Sequence, residues 1–158
     1  MLCEYEKAPN FTLQAIGRRT VSLSDFRGKR NVVLFFYRRN DNPICLAEAE
    51  AFRDLYDEFI LADTAIVGIS ADHLMDHESY ARKNKLPFVL LSDEDRVVWN
   101  AYSSYRDESG KPISSKDRLT CVIDKEGRVR KIWPEVTAEG HAAEVLAFVN
   151  TLQQTAAS

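Results

Sequence analysis

The chain has 158 residues, 45% of them hydrophobic and 28% charged, with a net charge of −3. That describes one globular domain, residues 1–158, with enough chain to bury a core. Acidic and basic residues are interleaved with no basic stripe, and no apolar stretch is long enough to span a bilayer, so neither nucleic acid nor a membrane is an expected partner. The first residues, Met1 to Glu6, lack the basic and apolar regions of a signal peptide, which makes cytoplasmic residence the expectation.

In chain order, Asn10–Gln14 and Thr20–Leu23, joined through Gly17, form a predicted N-terminal β-hairpin, followed by a turn over Ser24–Gly28. Val32–Tyr37 is a continuous run of β-branched and aromatic residues, the pattern of a central strand covered on both faces. Beyond Cys45, Phe52, Leu55, Tyr56 and Phe59 fall at i, i+3, i+4 and i+7, which predicts one continuous helix with a single buried face. Ala65–Ser70 is a second buried strand. A helix from about Asp72, its candidate cap, to Asn84 follows. Pro87–Leu91 is a third strand, and Ser92–Glu94 can open a helix reaching Tyr102. Arg106–Lys116 is polar and reads as a loop. Leu119–Ile123 and Arg128–Trp133 flank Asp124-Lys125-Glu126-Gly127, a hairpin signature. Glu139–Leu152 carries a helical apolar spacing, and residues 153–158 are expected to fray. The order β-α-β-α-β-β-α implies an α/β sandwich with a mixed central sheet.

Three cysteines, Cys3, Cys45 and Cys121, lie far apart with no Cys-x-x-Cys, so they form no disulfide framework. His73 and His77 stand four apart on a predicted helix, a spacing able to hold a metal. No cysteine lies near them in sequence, and a solvated helix face is the expected reading. No metal, flavin or haem signature is present, and no cofactor is expected. Cys45 has the most informative setting. It follows the Val32–Tyr37 strand and opens a helix, where unpaired backbone N–H groups and the helix dipole favour an anion and hence a thiolate. Glu48 and Glu50, placed by the sequence in the first turn of that helix, suit the dipole but oppose a second negative charge on Cys45.

Several segments together resemble the peroxiredoxins, and among them most nearly the Q-type (bacterioferritin comigratory protein) group. They are Ala8-Pro9-Asn10-Phe11-Thr12-Leu13, Val21–Lys29, Val32–Tyr37, Cys45 with Glu48-Ala49 and Phe52-Arg53-Asp54, and Val67-Gly68-Ile69-Ser70. Leu86-Pro87-Phe88, Leu91-Ser92-Asp93, Arg118-Leu119-Thr120, Val122-Ile123-Asp124 and Gly140-His141-Ala142 continue the match, which runs from about Lys7 to Leu152. The resemblance implies an α/β, thioredoxin-like three-layer sandwich with a mixed central β-sheet and an N-terminal β-hairpin. It implies a thiol-dependent peroxidase in which Cys45 attacks a hydroperoxide and becomes a sulfenic acid. Arg118 then corresponds to the family's active-site arginine, which can stabilise the thiolate and hold peroxide oxygens.

The loop before Cys45 departs from the family pattern Pro-x-x-x-Thr-x-x-Cys. Arg38 stands at the proline, Asn42 at the threonine, and Ile44 at a small residue; Pro43 and Ile44 complete the expected pocket lining. An amide can both accept and donate, as a hydroxyl does, but through two atoms on a longer side chain. Arg38 either adds positive charge to the pocket or turns to solvent; the sequence leaves both open. Ile44 narrows the pocket or makes it more apolar, which would favour organic hydroperoxides. The usual resolving position five residues after Cys45 is Glu50. Cys121 alternates away from Arg118 along its strand, and Cys3 lies near the terminus, so both are weak candidates for a resolving cysteine. A one-cysteine cycle, reduced by an external thiol such as thioredoxin, glutaredoxin or glutathione, is expected, in a monomer or homodimer. The rival reading is a peroxidase-impaired redox sensor or binding module.

Overall fold

The computed structural model describes residues 2–3, 5–106, 109–114, 118–134, 136 and 139–157, with the side chains of 2–3, 113–114 and 153–157 outside the description. Ten strands run β1 (Leu2–Cys3), β2 (Thr12–Ala15), β3 (Arg19–Ser22), β4 (Asn31–Phe36), β5 (Thr64–Ser70), β6 (Val89–Ser92), β7 (Ser104–Arg106), β8 (Pro112–Ser114), β9 (Leu119–Ile123) and β10 (Val129–Trp133). The helices are α1 (Pro43–Asp54), α2 (Tyr56–Leu61), α3 (Leu74–Lys83), α4 (Val97–Tyr102) and α5 (His141–Ala157), with a 3₁₀ turn over Leu23–Phe26. A seven-stranded sheet has the order β10-β9-β4-β5-β6-β2-β3. Strands β4, β5 and β6 pair in parallel, while β9, β10, β2 and β3 join antiparallel, giving the mixed sheet expected from sequence.

The alternation of β4 builds two cores. Val33, Phe35 and Tyr37 enter one with Cys45, Phe52, Phe59, Tyr80 and Val145, drawn from α1, α2, α3 and α5. Val32, Leu34 and Phe36 enter the other with Val98 and Tyr102 of α4. Both faces of β4 are therefore buried, as a continuous apolar run requires. The layers are helix, sheet and helix.

Three sequence expectations need correction. The single helix after Cys45 is broken at Leu55, whose φ of −103° and ψ of 9° end α1 and begin α2. Phe52 and Phe59 still meet, with ring centroids 5.8 Å apart. Asp72 does not cap α3: His73 holds the N-cap position, and the Asp72 carboxylate accepts instead from Ser70 and Asn40. The Arg106–Lys116 segment is not all loop, because β7 and β8 pair antiparallel and β1 adds parallel to β7 in a separate three-stranded sheet. Strands of two and three residues carry too little alternation to show in sequence. Helix α5 spans His141–Ala157, and Ser158 lies outside the described residues.

Candidate active site

The corner between β4 and α1 is set by local chemistry. Pro43 takes the first helical position, where its missing N–H goes unnoticed. Asn42 caps the helix: its Oδ1 accepts from the N–H of Ile44 at 2.9 Å and, more weakly, from that of Cys45 at 3.4 Å. Cys45 thus sits at the third helical position, only 1% exposed, in the core formed with α2, α3 and α5. Because α1 starts at Pro43, Glu48 and Glu50 fall in its second turn, not in the first. Glu50 is half-exposed beside Arg53.

Glu48 lies one turn beyond Cys45 and is 1% exposed. Burial pushes its carboxyl from 4.5 up to about 7, with the Arg118 charge and the Thr120 hydroxyl pulling the other way. Near neutrality the carboxyl is therefore far less negative than its sequence position suggests. Thr120 Oγ1 is 3.5 Å from Glu48 Oε1 and 2.8 Å from His141 Nε2. His141, the first residue of α5, packs edge-on against Phe52 and Trp133. Burial lowers it to about 4, Glu144 opposing and Arg118 reinforcing the shift. Arg118, immediately before β9, keeps a buried Nη1 with no hydrogen-bond partner among the described residues, as does Glu48 Oε2. Two buried, unpaired polar atoms of opposite character are thus left in one neighbourhood, on the side of the sheet that holds Cys45.

The remaining candidates fall outside this cluster. Arg38 is exposed. Pro43 is exposed, and Ile44 is 52% exposed next to the thiol in sequence, an apolar lip at the helix start. Cys121 is fully buried in the other core, with Leu119 and Ile123, while Val122 joins the core of Cys45, so the sheet stands between the two thiols. Backbone pairing places Cys3 opposite Arg106, and its side chain lies outside the description.

Sequence reasoning missed a second polar group beside the loop. His77, expected on a solvated face, is 0% exposed, while His73 is exposed and paired with Glu94 at 2.8 Å. His77 meets Tyr37 Oη at 3.2 Å, Asn40 Nδ2 at 3.3 Å and Ser70 Oγ at 3.4 Å. Its spacing from the buried Tyr80 and Ala81, at i+3 and i+4, was the available signal. Tyr80 Oη is buried with no hydrogen-bond partner among the described residues, and its phenol is pushed up first by burial and next by the charge of Cys45. Among the described residues no group of three His, Cys, Asp or Glu side chains is placed to hold a metal, and no helix is long and apolar enough to cross a membrane.

Known proteins share the sequence and the fold of this chain. The model of the AhpC/TSA family matches residues 5–132. A bcp-type peroxiredoxin chain of Coxiella burnetii is 41% identical over 143 residues, covering 89% of this chain and 94% of that one. Peroxiredoxin Bcp of Bacillus subtilis is 36% identical over 151 residues, covering 94% and 96%. Among solved structures, the peroxidoxin BcpB of Mycobacterium tuberculosis superposes with a TM-score of 0.83 at 30% identity, covering 96% of this chain and 98% of that one. A cysteine capped at a helix start, an arginine before β9, the thioredoxin-like sheet and these relatives converge: the chain belongs to the AhpC/TSA family, the peroxiredoxins, which are thiol-dependent peroxidases.

Proposed function

We propose that Cys45 is the peroxidatic nucleophile, supported by Arg118 and by the Asn42 cap, in a one-cysteine cycle. The observation that carries this is a thiol at the third position of α1 together with an arginine, immediately before β9, whose Nη1 is buried with no hydrogen-bond partner among the described residues. The thiolate attacks one peroxide oxygen: the S–O bond forms, the O–O bond breaks, and water or an alcohol leaves after taking a proton. Sulfur is oxidised to the sulfenic acid as the peroxide is reduced. An external thiol then condenses with the sulfenic acid, releasing water and leaving a mixed disulfide. A second thiol displaces Cys45. Arg118 offers N–H donors to the oxygen that becomes negative as the O–O bond breaks. Asn42 differs from a hydroxyl in that its Oδ1 is engaged by the helix, so only the amide nitrogen remains to act, as a donor.

Two further features shape the proposal. Ile44 at the helix start suits an organic hydroperoxide. A Xanthomonas campestris bacterioferritin comigratory protein described for alkyl peroxide reduction shares 28% identity and a TM-score of 0.80 with this chain. Cys121 lies across the sheet, which favours an external reductant of the thioredoxin, glutaredoxin or glutathione type over an internal one. Such recycling suits the reducing cytoplasm. The peroxidase-impaired sensor is favoured by one observation, the commitment of Asn42 Oδ1 to the helix cap.

Stopped-flow oxidation with sulfenic-acid trapping, on wild type, Cys45→Ser and Asn42→Thr, tests both readings. The proposal expects fast oxidation that vanishes in Cys45→Ser. A wild-type thiol no faster than free cysteine, with a sharp gain in Asn42→Thr, would instead establish the impaired form. A disulfide from Cys45 to Cys3 or Cys121 after one equivalent of peroxide would overturn the one-cysteine cycle.

A further inference from the structure

The loop between β4 and α1 carries Arg38 and Arg39, both exposed, and no proline before Pro43. It is nonetheless tied down at one residue. Asn40 spends three polar groups on its surroundings. Its backbone N–H donates to Asp72 Oδ2 at 3.0 Å, its Oδ1 accepts from Tyr37 Oη at 2.7 Å, and its Nδ2 faces His77 Nδ1 at 3.3 Å. The chain of contacts closes on itself. His77 Nε2 faces Ser70 Oγ at 3.4 Å, Ser70 Oγ donates to Asp72 Oδ2 at 2.6 Å, and the Asp72 N–H returns to Ser70 Oγ at 3.2 Å.

One proton arrangement satisfies this ring. The Asn40 amide nitrogen can only donate, so His77 Nδ1 must accept. A neutral imidazole that accepts at Nδ1 carries its proton on Nε2, which donates towards Ser70. The Ser70 hydrogen is then given to Asp72, and the Tyr37 hydrogen to Asn40. A protonated His77 would give its Nδ1–H to Tyr37 Oη at 3.2 Å and set it beside the Asn40 amide nitrogen, two donors face to face, so that Asn40 Nδ2 loses its acceptor while the Tyr37–Asn40 bond can persist. The groups bearing on the imidazole are Tyr37 just after β4, Asp72 before α3, the backbone of Leu91 in β6 and of Ser70 in β5, and Asp76 on α3. Burial disfavours the charged ring more than these carboxylates and backbone groups favour it.

We infer that His77 is a positioning residue, which as a neutral imidazole locks Asn40 and thereby fixes the turn that starts α1 and places Cys45. The mechanical link is short. The Asn42 N–H donates to the Arg39 carbonyl at 3.3 Å, the Leu46 N–H donates to the Asn42 carbonyl at 3.0 Å, and Asn42 caps over Cys45. The ring supplies through hydrogen bonds the stiffness that a proline would supply covalently. Its effect on rate rests on Cys45 being the nucleophile; its effect on the loop does not.

The test uses two readouts on wild type, Asn40→Ala, His77→Gln and His77→Ala at pH 5 and pH 8. Amide hydrogen exchange across residues 39–46 reports the lock without peroxide. Site-resolved rates of Cys45 with hydrogen peroxide and with iodoacetamide report its consequence, because a misplaced thiol loses peroxide rate while keeping alkylation. Asn40→Ala and His77→Ala are expected to speed exchange of the loop about tenfold. They should also lower the peroxide-to-alkylation ratio by at least roughly tenfold. Wild type should stay locked at pH 8 and loosen only as pH falls below the ordinary imidazole range, because burial lowers His77. His77→Gln can accept and donate as the neutral ring does but cannot titrate, so it should stay locked at both pH values. Unchanged loop exchange in Asn40→Ala, or faster exchange with an unchanged rate ratio, would overturn the inference. A wild-type Cys45 that is slow with peroxide would sink the peroxidase reading, while hydrogen exchange still decides the lock.

Discussion

Replacing Glu48 by Gln should make the protein's stability respond to pH in a calculable way. The folded carboxyl titrates at about 7 against 4.5 for an ordinary one, chiefly because it is buried. A carboxyl with a raised folded value contributes stability that is fully present below about pH 4.5 and is lost as pH rises to about 7, above which the penalty is level. Linkage puts the growth of that penalty between pH 5 and pH 8.5 at roughly 2 to 3 kcal/mol. Gln keeps the shape and an acceptor for Thr120 but carries no charge. The stability of Glu48→Gln relative to wild type should therefore improve by that amount from pH 5 to pH 8.5, whatever the substitution costs at pH 5 through the lost attraction to the Arg118 charge. Urea unfolding of both proteins at the two pH values gives the difference directly. Parallel pH dependence would refute the argument, because it would mean that the Arg118 charge already holds the carboxylate ionised throughout. His141 works in the opposite sense: with its folded value lowered to about 4, it contributes stability above pH 6.5 that is lost as pH falls towards 4. The two effects partly cancel between pH 4.5 and 6.5 in wild type, and Glu48→Gln should uncover the acid loss due to His141.

Other substitutions give simpler outcomes. Asn42→Ala removes the oxygen that caps Ile44 and Cys45 and should cost about 1 kcal/mol in urea unfolding, with Asn42→Asp retaining most of it. In Gly68→Ala the new Cβ would stand 2.7 Å from Leu90 Cδ2 and 2.8 Å from Phe35 Cζ. Both neighbours are fully buried, so overpacking should cost about 1 to 3 kcal/mol and lower the thermal midpoint. Tyr80→Phe deletes a buried hydroxyl that has no partner among the described residues, and should raise stability by about 1 kcal/mol in the same assay.

Much of this molecule was legible where one physical demand dominated. Val32–Tyr37 read as a doubly covered strand because no polar residue interrupts it, and β4 indeed feeds two cores by simple alternation. The same alternation, applied from Arg118, correctly set Cys121 and Val122 on opposite faces. Legibility failed where a polar residue served a distant partner. Asn42 was weighed as a substitute for a hydroxyl, although an asparagine before Pro43 already signals a helix cap. Asp72 carries a cap-like sequence position, yet its carboxylate is claimed by Ser70 and by the Asn40 backbone, 32 residues away in the chain. His77 was read with His73 as one solvated pair, although its i+3 and i+4 spacing to Tyr80 and Ala81 puts it on the buried face, where it meets Tyr37 and Asn40. Glu48 was placed one turn too early because the helix was taken to begin at Cys45 and not at Pro43.

The wall of strands between Cys45 and Cys121 gives the molecule two built-in clocks. In a Cys3→Ser background, a thiol reagent reaches Cys121 only when β4 and β9, adjacent strands in the middle of the sheet, come apart. Cys45 requires no more than fraying of the first turn of α1. Under slow labelling the two thiols therefore time different openings of one chain, global at Cys121 and local at Cys45. Their ratio would measure how far the reactive corner can loosen while the sheet beneath it stays closed.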